Sequence, residues 1–254
     1  MDDVTLPSDV KPEMKNDRVM VPLRIISENL GATVVWADRE VTLTKSDMTI
    51  KLKPNSNLVI KNDEPVELDA TPYISNDRML VPLRFIAESF DCTVDYRSST
   101  VSIYSKPLVI DNKVVRAMQE EYHMVMGGVI THFYGNAYLH AIYAALEENK
   151  GEKTAEPERY FWITLHDIPG TYSKAAQYDF LDGEGNNVKR YDMYTIITWT
   201  FPKEELEGYH EVLLHDVSED EWYLFTESAR QSILQLLYTA ISNGFSKIIS
   251  NTAV

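Results

Sequence analysis

The sequence has a single cysteine, few basic residues and no long apolar run. One cysteine, Cys92, in 254 residues excludes an internal disulfide and a cysteine-based zinc cluster. The 24 basic residues are outnumbered by 39 acidic ones, which gives a net charge of −15. This charge disfavours non-specific binding to nucleic acid and docking on anionic lipid. No apolar run approaches the ~18 residues that a membrane-spanning helix requires. We therefore expect no nucleic-acid partner and no membrane span.

The N-terminus also lacks the basic region and apolar stretch of a signal peptide. Two expectations stay open: a cytosolic protein, or an exported protein from which the signal has already been removed. The hydrophobic fraction of 44% is typical of a globular chain, and the length is suited to one or two domains.

An internal repeat occupies the first part of the chain. Residues 16–24 (NDRVMVPLR) return as residues 76–84 (NDRMLVPLR), an offset of 60. Over residues 16–44 and 76–104 there are 12 identities in 29 positions. Most of the other positions carry size-conserving changes, such as Trp36 for Tyr96. A match of this length indicates two copies of one structural unit.

Each copy predicts a strand, a two-turn helix and a hairpin. Pro22 and Pro82 suit the first helical position, where a missing N–H costs nothing. Gly31, and less favourably Asp91, can adopt the left-handed conformation that ends a helix. Residues 33–36 and 41–44, like 93–96 and 100–104, alternate around a polar turn as hairpins do. The apolar helix positions recur at i, i+3, i+4 and i+7; they are Leu23, Ile26, Ser27 and Leu30, and Leu83, Ile86, Ala87 and Phe90. Short strands are also expected at 48–52, 58–60 and 66–68, with a turn at Asn62 and Asp63.

These motifs resemble the copper amine oxidase N-terminal-like domain over roughly residues 10–105. The matching blocks run from Asn16 to Glu28 and from Asn76 to Glu88, each followed by a Thr-Val strand that ends in Trp36 or Tyr96. Asp17 and Asp77 stand where the family pattern has glycine. The resemblance implies a non-catalytic, stalk-like or binding module of secreted and wall-associated proteins of Gram-positive bacteria. It does not imply amine oxidation, because the chain has no Asn-Tyr-Asp or Asn-Tyr-Glu for the quinone and no His-x-His pair for copper.

Three residues of the repeats have a structural and a functional interpretation. Arg24 and Arg84 each precede a glutamate by four residues, so a structural ion pair on the helix is favoured over ligand recognition. Cys92 replaces Ala32 beside a strand, and a small core residue is favoured over a nucleophile because buried thiols are inert.

Residues 106–254 carry no motif of a known family, and their pattern predicts helices, then strands, then a helix. Asp111 or Asn112 could cap a helix through residue 126, and a second apolar stripe covers residues 130–145. Strands are expected at 160–165, 175–181, 188–201 and 209–215, with a hairpin tip at 182–187. A capping box at 218–221 opens a long helix that ends near Gly244. The predicted class is α+β: a module of two strand-and-short-helix repeats, then an antiparallel sheet of about four strands packed by helices.

Residues 106–254 contain only weak candidates for a catalytic, metal or ligand-binding site. His123, His132 and His140 do not converge on one face of a continuous helix. Two His-Asp pairs, His166 with Asp167 and His215 with Asp216, each lie near a strand end and could share a proton or bind a metal. Turn formation is the commoner role of this dipeptide. The many aromatics of residues 160–223 could form a solvent-facing binding strip, although ordinary sheet propensity is favoured.

The leading hypothesis is a non-catalytic, exported cell-surface or cell-wall-associated protein. Residues 1–105 would be the stalk-like or binding module, and residues 106–254 an interaction or ligand-binding domain. We expect no cofactor and no metal. The expected partner is cell-wall polysaccharide, peptidoglycan or another surface protein. The alternative is a hydrolase that uses His166, Asp167, His215 or Asp216. Two His-Asp pairs within ~6 Å of one another in a concave pocket would favour the hydrolase.

Overall fold

The computed structural model describes residues 1–45, 47–97, 100–124, 127–161, 168–196 and 201–253. Within these ranges the chain is mostly β, with four α-helices, which is consistent with the predicted α+β class. It divides into two compact units, Met1–Lys106 and Pro107–Val254. Of the helices described, none combines the length and the apolar character needed to cross a membrane.

The first unit builds three antiparallel sheets from short strands. Its strands are β1 (Glu13–Lys15), β2 (Arg18–Pro22), β3 (Thr33–Ala37), β4 (Glu40–Lys45), β5 (Met48–Leu52), β6 (Leu58–Lys61), β7 (Glu64–Glu67), β8 (Tyr73–Ser75), β9 (Arg78–Pro82), β10 (Thr93–Arg97) and β11 (Thr100–Tyr104), and its helices are α1 (Leu23–Asn29) and α2 (Leu83–Ser89). The sheet orders are β1-β2-β9-β8, β3-β4-β5-β6-β7 and β10-β11. The predicted hairpins and the predicted strands between the two copies are confirmed.

The two sequence copies form equivalent structures at the same offset of 60. The first and last residues of β1, β2, α1 and β3 lie 60 positions before those of β8, β9, α2 and β10. The hairpin turns before β2 and β9 both use the left-handed region, with φ of 51° and 57° at Asn16 and Asp17 and 48° and 57° at Asn76 and Asp77. Asparagine and aspartate tolerate this region better than other non-glycine residues, so the aspartates keep the turn that the family pattern builds with glycine.

The short helices bury the predicted face. All eight predicted apolar positions are buried, from Leu23 to Leu30 in α1 and from Leu83 to Phe90 in α2. Gly31 and Asp91 follow the helices with φ of 84° and 55°, as predicted. The prediction for the prolines was wrong by one residue, because Pro22 and Pro82 end a strand and occupy the N-cap position.

The second unit is organised around one large sheet. Its strands are β12 (Val109–Ile110), β13 (Lys113–Val114), β14 (Ala117–Met124), β15 (Gly127–Phe133), β16 (Lys153–Thr154), β17 (Tyr160–Phe161), β18 (Tyr172–Leu181), β19 (Asn187–Ile196), β20 (Val212–Asp216), β21 (Glu221–Phe225) and β22 (Ser246–Asn251), and its α-helices are α3 (Asn136–Glu148) and α4 (Glu227–Ser242). Nine described strands form this sheet, in the order β16-β21-β20-β19-β18-β14-β15-β22 with β17 parallel to β18. The expected sheet of about four strands was therefore too small.

The helix predicted from residue 111 to 126 was wrong. Asp111 and Asn112 form a left-handed turn between β12 and β13, with φ of 48° and 61°. The segment then continues as β14, which pairs with both β15 and β18. The second helix, predicted over residues 130–145, was wrong at its start, since residues 130–133 belong to β15 and α3 begins only after Gly135, which has a φ of 82°. Pairing on both sides of β14 overrode the local helical spacing of its apolar residues.

The start of the last helix was also misplaced. Residues 221–225 are β21, and α4 is capped at Thr226, whose hydroxyl accepts a hydrogen bond from the Ala229 amide. Ser218 instead lies in the β20–β21 turn and accepts a bond from the Arg190 amide. The helix ends before Gly244, which has a φ of 80°, as predicted. Parts of two predicted strands, residues 162–165 and 197–200, lie outside the described residues.

Candidate functional site

Among the clefts on the described part of the first unit, two are built from equivalent residues of the two repeats. One, of about 560 Å³, is lined by Trp36, Arg24 and Val34 on one side and by Ile74 and Asp77 on the other. We call it the Trp36 cleft. The other, of about 530 Å³, is named the Tyr96 cleft after its aromatic residue. The two aromatic side chains are 45% and 46% exposed, so each cleft presents a ring to solvent.

The two clefts are copies of one another. Eight of the nine residues that line the Trp36 cleft have a counterpart 60 positions away in the Tyr96 cleft. The matched pairs are Leu23 and Leu83, Arg24 and Arg84, Val34 and Val94, Trp36 and Tyr96, Ile74 and Met14, Asp77 and Asp17, Arg78 and Arg18, and Met79 and Val19. The aromatic wall of each cleft comes from one repeat and the turn wall from the other. Neither repeat could therefore form a cleft alone.

The arginines of the clefts are held by exposed carboxylates. Arg24 pairs with Glu28 at 2.8 Å, and Arg84 with Glu88 at 3.8 Å, which confirms the predicted ion pairs. The turn arginines are held in the same way, because Arg78 pairs with Asp9 at 2.6 Å and Arg18 pairs with Asp69.

Exposed pairs of this kind are worth little free energy. The guanidinium groups are thus oriented at the cleft walls while remaining able to exchange partners. Partial burial raises the pKa of the Tyr96 hydroxyl, and the nearby Arg84 opposes that shift. The Tyr96 hydroxyl therefore stays protonated at physiological pH.

His215 and Asp216 do not act as a pair. They are consecutive on β20, so their side chains leave opposite faces of the sheet. The His215 ring stacks on Trp222 at 4.3 Å between centroids, and its Nε2 lies 3.2 Å from Asp220. The Asp216 carboxylate is fully buried and contacts the Nζ atoms of Lys150 and Lys189, each at 2.8 Å. Asp216 is therefore the anion of a buried ion cluster.

The other candidate residues lie on β14, β15 and α3 or outside the described residues. His166 and Asp167 lie outside the described residues. His123 lies 3.2 Å from Glu121, His132 lies 2.9 Å from Gln119, and His140 is exposed on α3. Across the described ranges, no group of three or more His, Cys, Asp or Glu residues is placed to hold a metal ion.

Cys92 is a core residue, as favoured from the sequence. Its thiol is buried and donates to the Phe90 carbonyl oxygen at 3.3 Å. Burial raises the pKa of this thiol to about 11. A thiol that stays protonated at neutral pH is a poor nucleophile.

The aromatic residues of the second unit mostly fill a core. Tyr172, Tyr194 and Trp222 are buried with Ile196 and Leu213 on the sheet. The α3 residue Tyr143 packs on Phe180 and Tyr191. Tyr194 lies three residues after Tyr191 on β19, so its side chain and this cluster lie on the opposite face of the sheet. Ordinary sheet propensity therefore explains these rings, while Trp162 and Trp199 lie outside the described residues. The exposed, matched aromatics are instead Trp36 and Tyr96.

The second unit also contains a buried polar network that the sequence interpretation missed. The Lys174 ammonium donates to Asp192 at 2.6 Å and to Gln177 at 2.8 Å, and Gln177 in turn donates to Asp179 at 2.6 Å. Arg190 adds a bidentate contact to Asp192. Burial lowers the pKa of Lys174 and raises that of Asp179, in each case against the effect of neighbouring partners. The alternation of polar residues in β18 and β19 was the available signal. Because these groups satisfy one another, the network is structural.

The fold and the clefts define the first unit as a β-rich module of two interlocked repeats with paired recesses. The family model of the copper amine oxidase N-terminal domain matches residues 1–105. The first unit is therefore a copper amine oxidase N-terminal-like domain, as its repeated motif indicated. No curated protein and no solved structure matches the chain significantly.

Proposed function

We propose that this chain is a non-catalytic, exported protein of the cell surface or cell wall, and that its first unit binds a wall polysaccharide through the Trp36 and Tyr96 clefts. The observation that carries this proposal is the duplication of the cleft. Eight matched positions, including an exposed aromatic ring and two arginines, recur around both recesses. An exposed aromatic ring flanked by hydrogen-bonding side chains is suited to stack on a ligand with one apolar face.

The second unit serves as an interaction or ligand-binding domain in this proposal. Its described residues do not favour the hydrolase alternative, because Asp216 is neutralised by Lys150 and Lys189 and His215 faces the other side of the sheet. The first unit is proposed to have no amine oxidase activity, on the sequence grounds given above. Export is proposed from the family resemblance of that unit.

Co-sedimentation of the full chain with purified Gram-positive cell wall tests this function. We expect the chain to pellet with the wall at low and moderate salt, since stacking and hydrogen bonding are less salt-sensitive than charge attraction. The double variant Trp36→Ala/Tyr96→Ala should remain in the supernatant. Tyr238→Ala is the matched control, because Tyr238 is an exposed aromatic on α4 of the second unit. A wild-type chain that fails to pellet, or a double variant that pellets like wild type, would contradict the proposal.

A further inference from the structure

The two clefts are related by a two-fold axis within the first unit. β2 and β9 pair in antiparallel fashion with Met20 opposite Pro82, Val21 opposite Val81 and Pro22 opposite Leu80. Val21 and Val81 are equivalent residues of the two copies, so this pairing is symmetric about their midpoint. The same operation exchanges the Trp36 cleft with the Tyr96 cleft, because their linings correspond at the offset of 60.

We infer that the first unit is bivalent: each cleft holds one neutral sugar polymer, and the two clefts together cross-link two separate chains. This inference rests on the proposed function, and it adds the class of ligand, a neutral polysaccharide, and the number of ligand chains bound. The pyranose ring would stack on Trp36 or Tyr96, and the arginine and aspartate at matched positions would hydrogen-bond to its hydroxyl groups.

The charge of the clefts favours a neutral polymer over an acidic one. The Tyr96 cleft is lined by two arginines, Arg18 and Arg84, and by four carboxylates, Asp17, Glu67, Asp69 and Glu88. In the Trp36 cleft, Arg24 and Arg78 already hold Glu28 and Asp9. A polyanion would have to displace these carboxylates and approach a chain with a net charge of −15, which long-range repulsion disfavours.

The two-fold relation decides that two polymer chains are bound rather than one. A polysaccharide chain has a direction, from its non-reducing to its reducing end. The line that joins two sites related by a two-fold axis is perpendicular to that axis, so the axis reverses any chain that runs along it. One continuous chain would therefore enter the second cleft backwards. Two polysaccharide chains that run in opposite directions can each enter one cleft in the matching orientation, and the expected outcome is a cross-link.

The two sites should differ in strength. Trp36 offers a larger ring than Tyr96 for stacking, and the Trp36 cleft has Ile74 where the Tyr96 cleft has Met14. We expect the Trp36 cleft to bind more tightly, so that Trp36→Ala lowers the total affinity more than Tyr96→Ala does. The substitution Trp36→Phe keeps an aromatic face and should restore most of the binding.

Calorimetry with the full chain and chitohexaose, a neutral β-1,4-linked sugar, tests the stoichiometry. We expect two sugars per chain for the wild type and for Tyr238→Ala, one for Trp36→Ala or Tyr96→Ala, and none for the double variant. Light scattering with soluble glycol chitin tests the cross-link. Only protein variants with two intact clefts should raise the scattered intensity. Thermal unfolding of each variant, expected to be unchanged because both rings are half exposed, controls for folding.

Failure of this inference can be told apart from failure of the proposed function. One sugar or none per wild-type chain, or a single variant that still cross-links glycol chitin, overturns bivalent binding of a neutral polymer. If the wild type still pellets with cell wall through Trp36 and Tyr96, the proposed function stands while this inference is wrong. If wall binding is lost as well, both are wrong.

Discussion

At the residue scale, the two repeats provide an internal comparison at one buried position. The Ser27 hydroxyl is buried and has no hydrogen-bond partner among the described residues, whereas the equivalent position of the other repeat is Ala87. A buried hydroxyl without a partner costs free energy that a methyl group does not. The second copy therefore shows the residue that the first would accommodate better.

We predict that Ser27→Ala raises the free energy of unfolding by about 1 kcal/mol, because it removes an unsatisfied polar group without changing the shape of the core. Urea unfolding followed by circular dichroism measures the change. Ala87→Ser is the matched control and should lower stability by a similar amount. Equal stability of wild type and Ser27→Ala would mean that the hydroxyl has a partner after all.

Glu120 is a second residue whose environment makes stability depend on pH. Burial raises the pKa of its carboxyl group from 4.5 to about 7. The folded state therefore holds this proton more tightly than the unfolded state, and the stability it contributes is present below pH 4.5 and lost as the pH rises through 7.

We predict that Glu120→Gln raises the free energy of unfolding at pH 8 and has little effect at pH 4. The gain at pH 8 should be up to about 3 kcal/mol, because each unit of the pKa shift corresponds to about 1.4 kcal/mol. Denaturant unfolding at the two pH values measures this difference. Glu121→Gln is the control, since Glu121 bonds to Gln119 and His123 instead, and should give no gain at pH 8. An equal effect of Glu120→Gln at both pH values would refute the explanation.

At the element scale, helix α4 begins where its cap lies rather than where the capping pattern in the sequence suggests. Thr226 has extended backbone angles, and its hydroxyl accepts from the amide of Ala229, three residues on. The acidic residue Glu227 in the first turn adds a favourable interaction with the helix dipole. The helix then buries Ala229, Ile233, Leu237 and Ala240 on one face.

We predict that Thr226→Ala lowers the stability of the second unit by about 1 kcal/mol, because an amide of the first turn loses its acceptor. Thr226→Ser keeps the hydroxyl and should remain close to wild type. Thermal unfolding monitored by circular dichroism compares the three proteins. If Thr226→Ser loses as much stability as Thr226→Ala, the methyl group and not the cap carries the effect.

At the scale of the whole molecule, each unit is stabilised differently. The first unit depends on the buried apolar faces of its duplicated helices. The second places a charged cluster between the end of α3 and the sheet, where Asp216 contacts Lys150 and Lys189, and Lys150 also contacts Glu147 at 2.6 Å. Burial alone lowers the pKa of both lysines, but the contacts of Lys150 with Asp216 and Glu147, and of Lys189 with Asp216 and Glu219, together outweigh it and leave both pKa values above the usual 10.5.

We predict that the second unit is labile to alkali. Because the folded-state pKa values of Lys150 and Lys189 are raised, their stabilisation is present below pH 10.5 and is lost as the pH rises through those values. Guanidinium unfolding of the full chain between pH 8 and pH 11 should show the second unit losing stability.

At neutral pH, Asp216→Asn should cost about 3 kcal/mol, because it removes the fully buried anion that Lys150 and Lys189 share. The more exposed Glu147 and Glu219 remain beside the two lysines. Glu221→Gln, which alters only the contacts of an exposed carboxylate with Lys153 and Tyr223, should be nearly neutral. Equal losses in these two variants would show that burial of the cluster has no special effect.

The sequence by itself determined the short helices and the hairpins of the first unit, because the duplication shows the same local pattern twice; the strands β1 and β8 were not predicted. The helix faces from Leu23 and from Leu83, the stops at Gly31 and Asp91, and the hairpins all follow from short-range preferences of the chain. The match of residues 1–105 to a family model rests on the same repeated residues.

Only the tertiary structure decided which distant residues meet. The clefts could not be foreseen, because Trp36 faces Ile74 and Asp77 across two repeats. The spacing of Met118 and Tyr122 in β14, with Val115 just before the strand, also fits a helix, and pairing of β14 with β15 and β18 selected the strand. The sequence suggests a reactive Asp216, whereas the structure places Lys150 and Lys189 beside it, since the charge that surrounds a side chain is set by neighbours distant in sequence.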